Sequence, residues 1–277
     1  MTRTLAALLG LILLITAAPC AQAATSQRTL CTVTDPRLSE ISGMATSRRH
    51  TDVVWVHNDS GDAARVYGLS TKTCAVVAEL NLRGVQARDF EAMAAGVDAK
   101  GRSVLWLADI GDNRQNWPEV RIHQVREPKT LGNRTQAAVT YRVRYSDGSH
   151  DAETILADPR STQLWLVTKK LAAGAMYRLP KALKTSGVNV ARRIQSEGGL
   201  ITDGAVSPRG DRYVLRDYLD ARIFRGLPPG SLQSTIELPF QVQGEAITWS
   251  ADGNSMLTIS ERDDRLFEIR LSSDQLR

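Results

Sequence analysis

The chain has 277 residues, and its 35 Lys and Arg residues against 30 Asp and Glu give a formal net charge of +5 at pH 7. The positive charge is spread along the chain, without a Lys/Arg block or interleaved aromatic residues, which argues against nucleic-acid binding. No apolar run reaches the roughly 20 residues that a membrane-spanning helix needs. We therefore expect a soluble monomer with no nucleic-acid partner and no stable membrane insertion.

The first 23 residues have the pattern of a secretory signal peptide. Arg3 precedes the apolar run LAALLGLILLITAA, and AQA at 21–23 is a small-residue cleavage site. A lipoprotein acylated at Cys20 is the weaker alternative, because Pro19 stands where such a site has a small residue. Cleavage would remove one charge, that of Arg3, and leave 24–277 as a single exported domain with a net charge of +4.

Two cysteines remain after cleavage, Cys31 and Cys74. In an oxidising compartment an even pair predicts one disulfide. Closing 43 residues of chain would stabilise the fold by roughly 3 to 4 kcal/mol in the chain-entropy model. Two buried thiols are the alternative.

A repeated unit organises the rest of the chain. Each unit begins with an acidic residue on a short apolar segment, makes a tight turn and continues into a β-branched, apolar strand. The spacings of 51, 62, 50 and 42 residues between these acids lie within or just above the range of repeat architectures. The five acids are Glu40, Glu91, Glu153, Asp203 and Glu245.

Further strands follow within each unit. The second strands are VVWVHND, VLWLADI, LWLVTK, RYVLRDY and SMLTISE, and the third are RVYGLST, VRIHQVRE, AMYRLPK, ARIFRGL and RLFEIRL. Four units have a fourth strand, namely CAVVAELNL, VTYRVRY, VNVARRIQ and STIELPF. The fifth unit lacks one because the chain stops at Arg277. Residues 181–187 could add a single helical turn.

The stretch RTLCTVTD at 28–35 can supply the missing strand by pairing with RLFEIRL. Closing the ring in this way leaves only short, protected sheet edges. The sequence therefore predicts an all-β fold, a β-propeller of five four-stranded blades closed by the N-terminal strand. Six blades are the alternative.

In a propeller the first strand of each blade lines the central channel. The loops that enter these strands share one mouth with the loops that leave the second strands, so acidic and polar residues should meet there. Close carboxylates raise one another's pKa unless a cation compensates, and such loops suit Ca²⁺ or Mg²⁺. The predicted metal ligands are Glu40, Glu91, Glu153, Asp203, Glu245, Asp59, Asp109 and Asp112.

Other residues at this mouth could take part in catalysis. Histidines and carboxylates can transfer protons, and basic side chains can hold an anion. The predicted catalytic residues are Glu91, Glu153, His57 and His150, and the predicted substrate-binding residues are Arg114, Lys169, Arg216 and Arg262. The alternative is that the basic side chains only neutralise the acids as salt bridges. The sequence has no G-x-S-x-G, H-E-x-x-H, C-x-x-C, Walker or G-x-G-x-x-G motif, which disfavours serine hydrolases, zinc proteases and nucleotide enzymes.

Several segments together resemble a known group of proteins. They are LSEISGMATSRRHTDVVWVHNDSGDAARVYGL, DFEAMA, LWLADIGDNRQN, YSDGSHDAETILADPRSTQLWLVTK and GEAITWSADG. Over about residues 38–271 the chain resembles the secreted, mainly actinobacterial β-propeller proteins near the "esterase-like activity of phytase" domain. The resemblance implies metal-dependent hydrolysis of a phosphoester or ester. The loops at the mouth suggest Ca²⁺ as the cofactor, with Mg²⁺ as the alternative. The chain lacks the dense Asp clusters and paired phosphate clamps of an alkaline phytase.

Two hypotheses therefore stand. The first is a metal-dependent hydrolase that acts on a small-molecule ester or phosphoester. The second is a non-catalytic propeller that binds a cell-envelope ligand or a protein, because a fold does not by itself determine a function.

Overall fold

A computed structural model describes residues 26–171 and 174–276. The predicted signal peptide and Cys20 lie outside the described residues. Strands dominate the described part, and no helix in it has the length and apolar character to cross a membrane. In chain order the strands are β1 (Ser26–Thr32), β2 (Ile41–Thr46), β3 (Val53–Asn58), β4 (Arg65–Ser70), β5 (Val76–Arg83), β6 (Phe90–Val97), β7 (Ser103–Asp109), β8 (Val120–Arg126), β9 (Arg134–Ala137), β10 (Val139–Tyr145), β11 (Ala152–Ala157), β12 (Leu164–Thr168), β13 (Gly174–Arg178), β14 (Val188–Glu197), β15 (Asp203–Val206), β16 (Arg212–Arg216), β17 (Asp220–Arg225), β18 (Ser231–Glu237), β19 (Gly244–Trp249), β20 (Ser255–Ser260) and β21 (Asp263–Arg270).

The strands pair in antiparallel groups of four. The groups are β2-β3-β4-β5, β6-β7-β8-β10, β11-β12-β13-β14, β15-β16-β17-β18 and β19-β20-β21-β1. Parallel pairing of β10 with β14 joins the second and third groups into one eight-stranded sheet. Strand β9 adds a parallel edge to β5. The repeat did not predict either parallel pairing, because each unit was defined by its own antiparallel strands.

The first strands of the five groups contact one another in a closed circle. Strand β2 packs beside β6, β6 beside β11, β11 beside β15, β15 beside β19, and β19 beside β2 again. This arrangement confirms the predicted β-propeller class. Because two groups share one continuous sheet, the number of blades stays a prediction.

The predicted closure is confirmed. Strand β1 pairs antiparallel with β21, from Ser26 opposite Arg270 to Thr32 opposite Arg265. The predicted disulfide is also present, with Cys31 and Cys74 Cα atoms 5.6 Å apart. Since Cys31 lies on the closing strand and Cys74 on the turn between β4 and β5, the bond ties the last group to the first.

The core consists of apolar layers between neighbouring sheets. One layer lies between the first and second groups around Trp55, and another lies between the fourth and fifth groups around Trp249. Both indole rings are almost fully buried, and burial of a large apolar side chain contributes roughly 1.5 to 3 kcal/mol. Such two-sided burial explains why the inner strands are nearly continuous apolar runs.

The C-terminal segment forms the one helix that the described residues contain, α1 (Ser273–Leu276). Arg212 donates hydrogen bonds from its guanidinium to the carbonyl groups of Gln275 and Leu276, which holds this end against β16. Residues 181–187 form bends and coil without a helical turn, which corrects the sequence-based expectation. Asn189 organises that segment instead, since its side chain bonds the backbone of Lys184.

Candidate metal centre

A β-bulge recurs at the start of the first strand in four groups. The pairing register skips one residue in each of these strands, and a bulge re-aims the side chain of the residue that it leaves out. The skipped residues are Ser42, Glu91, Glu153 and Glu245. The fourth group has no shift there, because Asp203 pairs with Arg216 and Gly204 with Leu215.

The bulges change which residues are equivalent around the channel. Glu91, Glu153 and Glu245 share one position, and Ser42 occupies that position in the first group. The Ser42 hydroxyl donates to the Glu91 carbonyl at 3.1 Å. Glu40, which the repeat aligned with the other acids, precedes this position by two residues and is exposed at the rim.

Five carboxylates form what we call the acidic cluster: Asp59, Asp89, Glu91, Asp151 and Glu153. They make two overlapping trios that share Glu91, and in each trio one oxygen per residue lies within 4.8 Å of the others. Asp89 and Asp151 were not among the predicted ligands. The signal for them was the repeated D-x-E at 89–91 and 151–153, which places an aspartate just before the first strand of two consecutive groups.

Burial makes ionisation of this cluster unfavourable. It is the largest cause raising the pKa of Glu91 well above its usual value, and Glu153, Asp59 and Asp89 raise it further. Burial also raises the pKa of Asp89 to about 6, with Asp59 and Asp151 adding to the effect. The folded protein therefore keeps these carboxylates protonated up to a higher pH than free acids, unless a cation compensates.

Lys169 supplies part of that compensation. Its Nζ lies 3.0 Å from Glu153 Oε1 and 5.6 Å from the centre of the Tyr218 ring. Burial still raises the pKa of Glu153 to about 7, although Lys169 opposes the shift. The pKa of Lys169 is raised by Glu153 against the effect of burial, so the ammonium stays charged.

Two more carboxylates lie beside the cluster. Glu245 is buried and accepts a hydrogen bond from Gln243 Nε2 at 3.0 Å. Burial raises its pKa, and the charge of Asp59 adds to the rise. The pKa of Glu261 is raised to about 7 by burial and by Glu245 and Asp59. Carboxylates thus extend across the mouth towards the fifth group.

The loop after β7 closes over the cluster. The Asp112 backbone N–H donates to Asp151 Oδ1 at 2.9 Å. A Cβ atom on Gly111 would lie 2.3 Å from Glu91 Oε1 and 2.5 Å from Asp89 Oδ2. Glycine is needed at 111 because any side chain would displace two of the cluster carboxylates.

Asp109 and Asp112, both predicted as metal ligands, lie outside the two trios and bond to the protein. Asp109 is fully buried and accepts hydrogen bonds from Arg88 Nε at 3.0 Å and from the Asp89 N–H at 2.9 Å. Burial opposes its ionisation, but His123, Asp89 and Arg88 lower its pKa. The Asp112 carboxylate accepts the backbone N–H groups of Asn116 and Trp117 and shapes the loop.

Asp203 also lies apart from the trios. It is fully buried, and burial raises its pKa well above the usual range. Its Oδ2 accepts the Ile247 N–H at 2.8 Å, so it joins the fourth group to the fifth.

The two predicted catalytic histidines are engaged in packing. His57 is completely buried beside Phe90, and burial lowers its pKa to about 4. Its Nδ1 lies 2.8 Å from the Asn58 carbonyl. His150 Nε2 lies 3.1 Å from Asp147 Oδ1 and 2.9 Å from the Tyr177 hydroxyl.

Of the four predicted substrate-binding residues, some lie at the mouth and one lies in the interior. Lys169 reaches the cluster, whereas Arg114 and Arg262 are exposed. Arg216 is fully buried and donates to Gln241 Oε1 at 3.1 Å and to the Asp217 carbonyl at 3.1 Å. Burial lowers its pKa to about 10, against the charges of Asp203 and Glu245. The structure brings together Asp59, Glu91, Glu153 and Lys169 from the predicted set.

Comparisons with known proteins indicate the fold. No protein-family model matches the chain, and no curated protein matches its sequence. The solved structure of PQQ-bound aldose sugar dehydrogenase from Streptomyces coelicolor aligns with a TM-score of 0.51 and 11% identity, over 90% of this chain and 98% of that chain. The structure of U3-55K aligns with a TM-score of 0.42 and 15% identity, over 83% of this chain and 68% of that chain. The first similarity supports the propeller fold and nothing finer, and the second carries no argument.

Proposed function

We propose that this protein is an exported propeller that binds a divalent cation in the acidic cluster and uses it to hydrolyse a small phosphoester or ester. The observation that carries the proposal is the pair of carboxylate trios that share Glu91. The disulfide between Cys31 and Cys74 agrees with export to an oxidising compartment. Phytate itself is not the proposed substrate.

The donor set suits a hard cation. Ca²⁺ takes six to eight oxygen ligands in flexible geometry, and Mg²⁺ prefers fewer protein ligands and more water. Asp59, Asp89, Glu91, Asp151 and Glu153 would hold the ion, with Gly111 leaving them room. Their number favours Ca²⁺ over Mg²⁺. Once bound, the ion would supply electrophilic polarisation of a phosphoryl or carbonyl oxygen and a lower pKa for water.

The chain's own residues would take the remaining roles. Glu153 has a pKa of about 7 and can therefore accept or donate a proton near neutral pH. Lys169, beside it, would orient the anionic part of a substrate, and the exposed Arg114 and Arg262 would attract it to the mouth. The burial of His57 and the contacts of His150 favour the carboxylates as proton-transfer groups.

The test is turnover by purified, chelator-treated protein. 4-Nitrophenyl phosphate and 4-nitrophenyl butyrate would be offered with Ca²⁺, Mg²⁺ or Mn²⁺. We expect metal-dependent hydrolysis that Glu91→Gln lowers at least about tenfold, on the order of 1.4 kcal/mol in the barrier. Lys169→Ala should mainly raise KM. Asp52→Asn, which removes an exposed carboxylate paired with Lys72, is the matched control.

A non-catalytic binding propeller is the second candidate, and exposed apolar side chains favour it. Loops at the mouth carry large side chains with exposed fractions of 76% at Leu171, 69% at Leu219, 80% at Phe240 and 63% at Val242. Such residues mark interaction sites when they are grouped on a surface. Calcium binding without turnover of either ester, together with retention on cell-envelope polysaccharide that Phe240→Ser abolishes, would favour this candidate.

A further inference from the structure

A cavity of about 360 Å³ opens at the channel end opposite the acidic cluster. The cluster lies where the first strands begin, whereas the cavity is lined where those strands end and by the turns that follow them. All five first strands contribute, with Met44, Met93, Ala157, Ala205 and Trp249 among the lining residues. Six residues of strand separate the two ends by roughly 20 Å.

Small side chains, mostly alanine with two strand threonines, form the inner wall of this cavity. Ala94, Ala95, Ala157 and Ala205 leave space in the channel that larger side chains would fill. The two methionines back this wall from the apolar layers between the sheets, where their side chains are almost fully buried. The wall therefore suits an alkyl chain or a ring.

The rim of the cavity is basic. The turn after β2 carries Arg48, Arg49 and His50, and none of the lining residues is Asp or Glu. Both arginine side chains are exposed. Within the described residues, neither guanidinium has a hydrogen bond or a salt bridge. Two unpaired guanidinium groups beside an apolar cavity are suited to a carboxylate.

Hydrogen bonds hold the basic turn in place. Ser47 Oγ accepts the backbone N–H groups of Arg49 at 3.2 Å and His50 at 2.9 Å, and donates to the buried Glu127 carboxylate. His50 Nε2 lies 3.1 Å from the Pro128 carbonyl. A turn fixed in this way loses little conformational entropy when a ligand binds.

We propose that this cavity binds a small amphipathic anion, a medium-chain carboxylate. The alkyl chain would lie against the alanine wall, and the carboxylate would bind Arg48 and Arg49. The volume lies near the lower end of the range for small-molecule pockets, about 300 to 1,000 Å³. The site is separate from the acidic cluster and does not depend on the proposed hydrolase activity.

Calorimetric titration of the folded protein with decanoate, in the presence of a chelator, tests the proposal. The chelator removes any contribution from a metal at the acidic cluster. We expect saturable binding of decanoate and none of decyltrimethylammonium, which has the same chain and the opposite charge. Arg48→Gln with Arg49→Gln should weaken binding at least about tenfold. Arg144→Gln with Arg192→Gln, two exposed arginines on the outer strands β10 and β14, is the control with the same loss of charge.

A second variant tests the apolar part of the site. Ala205→Leu should fill the cavity and abolish decanoate binding while the melting temperature shows that the fold is retained. Failure of decanoate to bind the unmodified protein would overturn the proposal. Equal binding of the cationic analogue, or equal weakening by the control pair, would overturn it as well.

Discussion

The ammonium group of Lys169 lies 3.0 Å from Glu153 Oε1, and it faces a cluster of five carboxylates. Among the described residues, the predicted cations Arg114, Arg216 and Arg262 form no salt bridge with a member of that cluster. Within the described part of the chain, Glu153 is therefore the one cluster carboxylate that forms a salt bridge with a predicted basic residue. The remaining negative charge must be balanced by protons or by a metal ion.

The first prediction is that the chelated protein loses stability as pH rises from 5 to 8. In the folded state the pKa is about 7 for Glu153 and about 6 for Asp89, above their ordinary values. Between the unfolded and folded pKa values the folded state binds more protons, so the free energy of unfolding falls as the pH rises across this range. His57 acts in the opposite direction between pH 4 and 6.5, because its pKa is lowered to about 4.

Thermal melts in chelator across this pH range measure the effect, and Glu153→Gln should flatten the curve. The carboxylates with raised pKa outnumber the single histidine, so the net slope should be negative. A melting temperature that rises steadily from pH 5 to 8 would contradict the prediction.

The second prediction concerns calcium. Ca²⁺ should raise the melting temperature at pH 8 in a concentration-dependent way, because a ligand at one hundred times its Kd stabilises the folded state by about 2.7 kcal/mol. Glu91→Gln with Glu245→Gln should remove this response and make the metal-free protein more stable, since it relieves repulsion between buried charges. Asp52→Asn should keep the calcium response. A melting temperature that changes with neither calcium nor chelator would argue against a metal site.

The third prediction tests the close approach of the loop after β7. Gly111→Ala should lower calcium affinity at least about tenfold, because its Cβ would overlap oxygens of Glu91 and Asp89. Gly198→Ala is the matched control, since a Cβ there has nothing within 4 Å. Titration calorimetry measures both variants. Similar calcium affinity in the two alanine variants would show that Glu91 and Asp89 do not bind the ion.

The fourth prediction concerns ring closure. Replacing Cys31 and Cys74 by serine should lower the free energy of unfolding by roughly 3 to 4 kcal/mol, the chain-entropy value for a closed segment of this length. Because β1 is the strand that the bond anchors, hydrogen exchange should accelerate first along β1 and its partner β21. Reduction of the unmodified protein should reproduce the pattern. Uniform acceleration over all sheets would indicate that the bond does not act at the closure.

The sequence by itself determines the antiparallel strand order within each group, the closing pair β1 and β21, and the disulfide. These features follow from local composition, namely β-branched apolar runs bounded by turn formers, and from the count of strands and cysteines. The sequence correctly predicted that Glu91 and Glu153 are neighbours at one mouth, because each lies at the start of the first strand of its unit. Their metal-binding and catalytic roles stay predictions.

Only the tertiary structure decided which acids meet. Whether a side chain faces the channel depends on its register with the partner strand, and a shift of one residue moves it to the other face. The bulges put Ser42, and not Glu40, in the position of Glu91. Asp89 and Asp151 join the cluster only in the folded chain, and the full burial of His57 and Arg216 comes from packing between neighbouring sheets. Composition and spacing cannot specify such contacts, because each depends on the position of a neighbouring sheet.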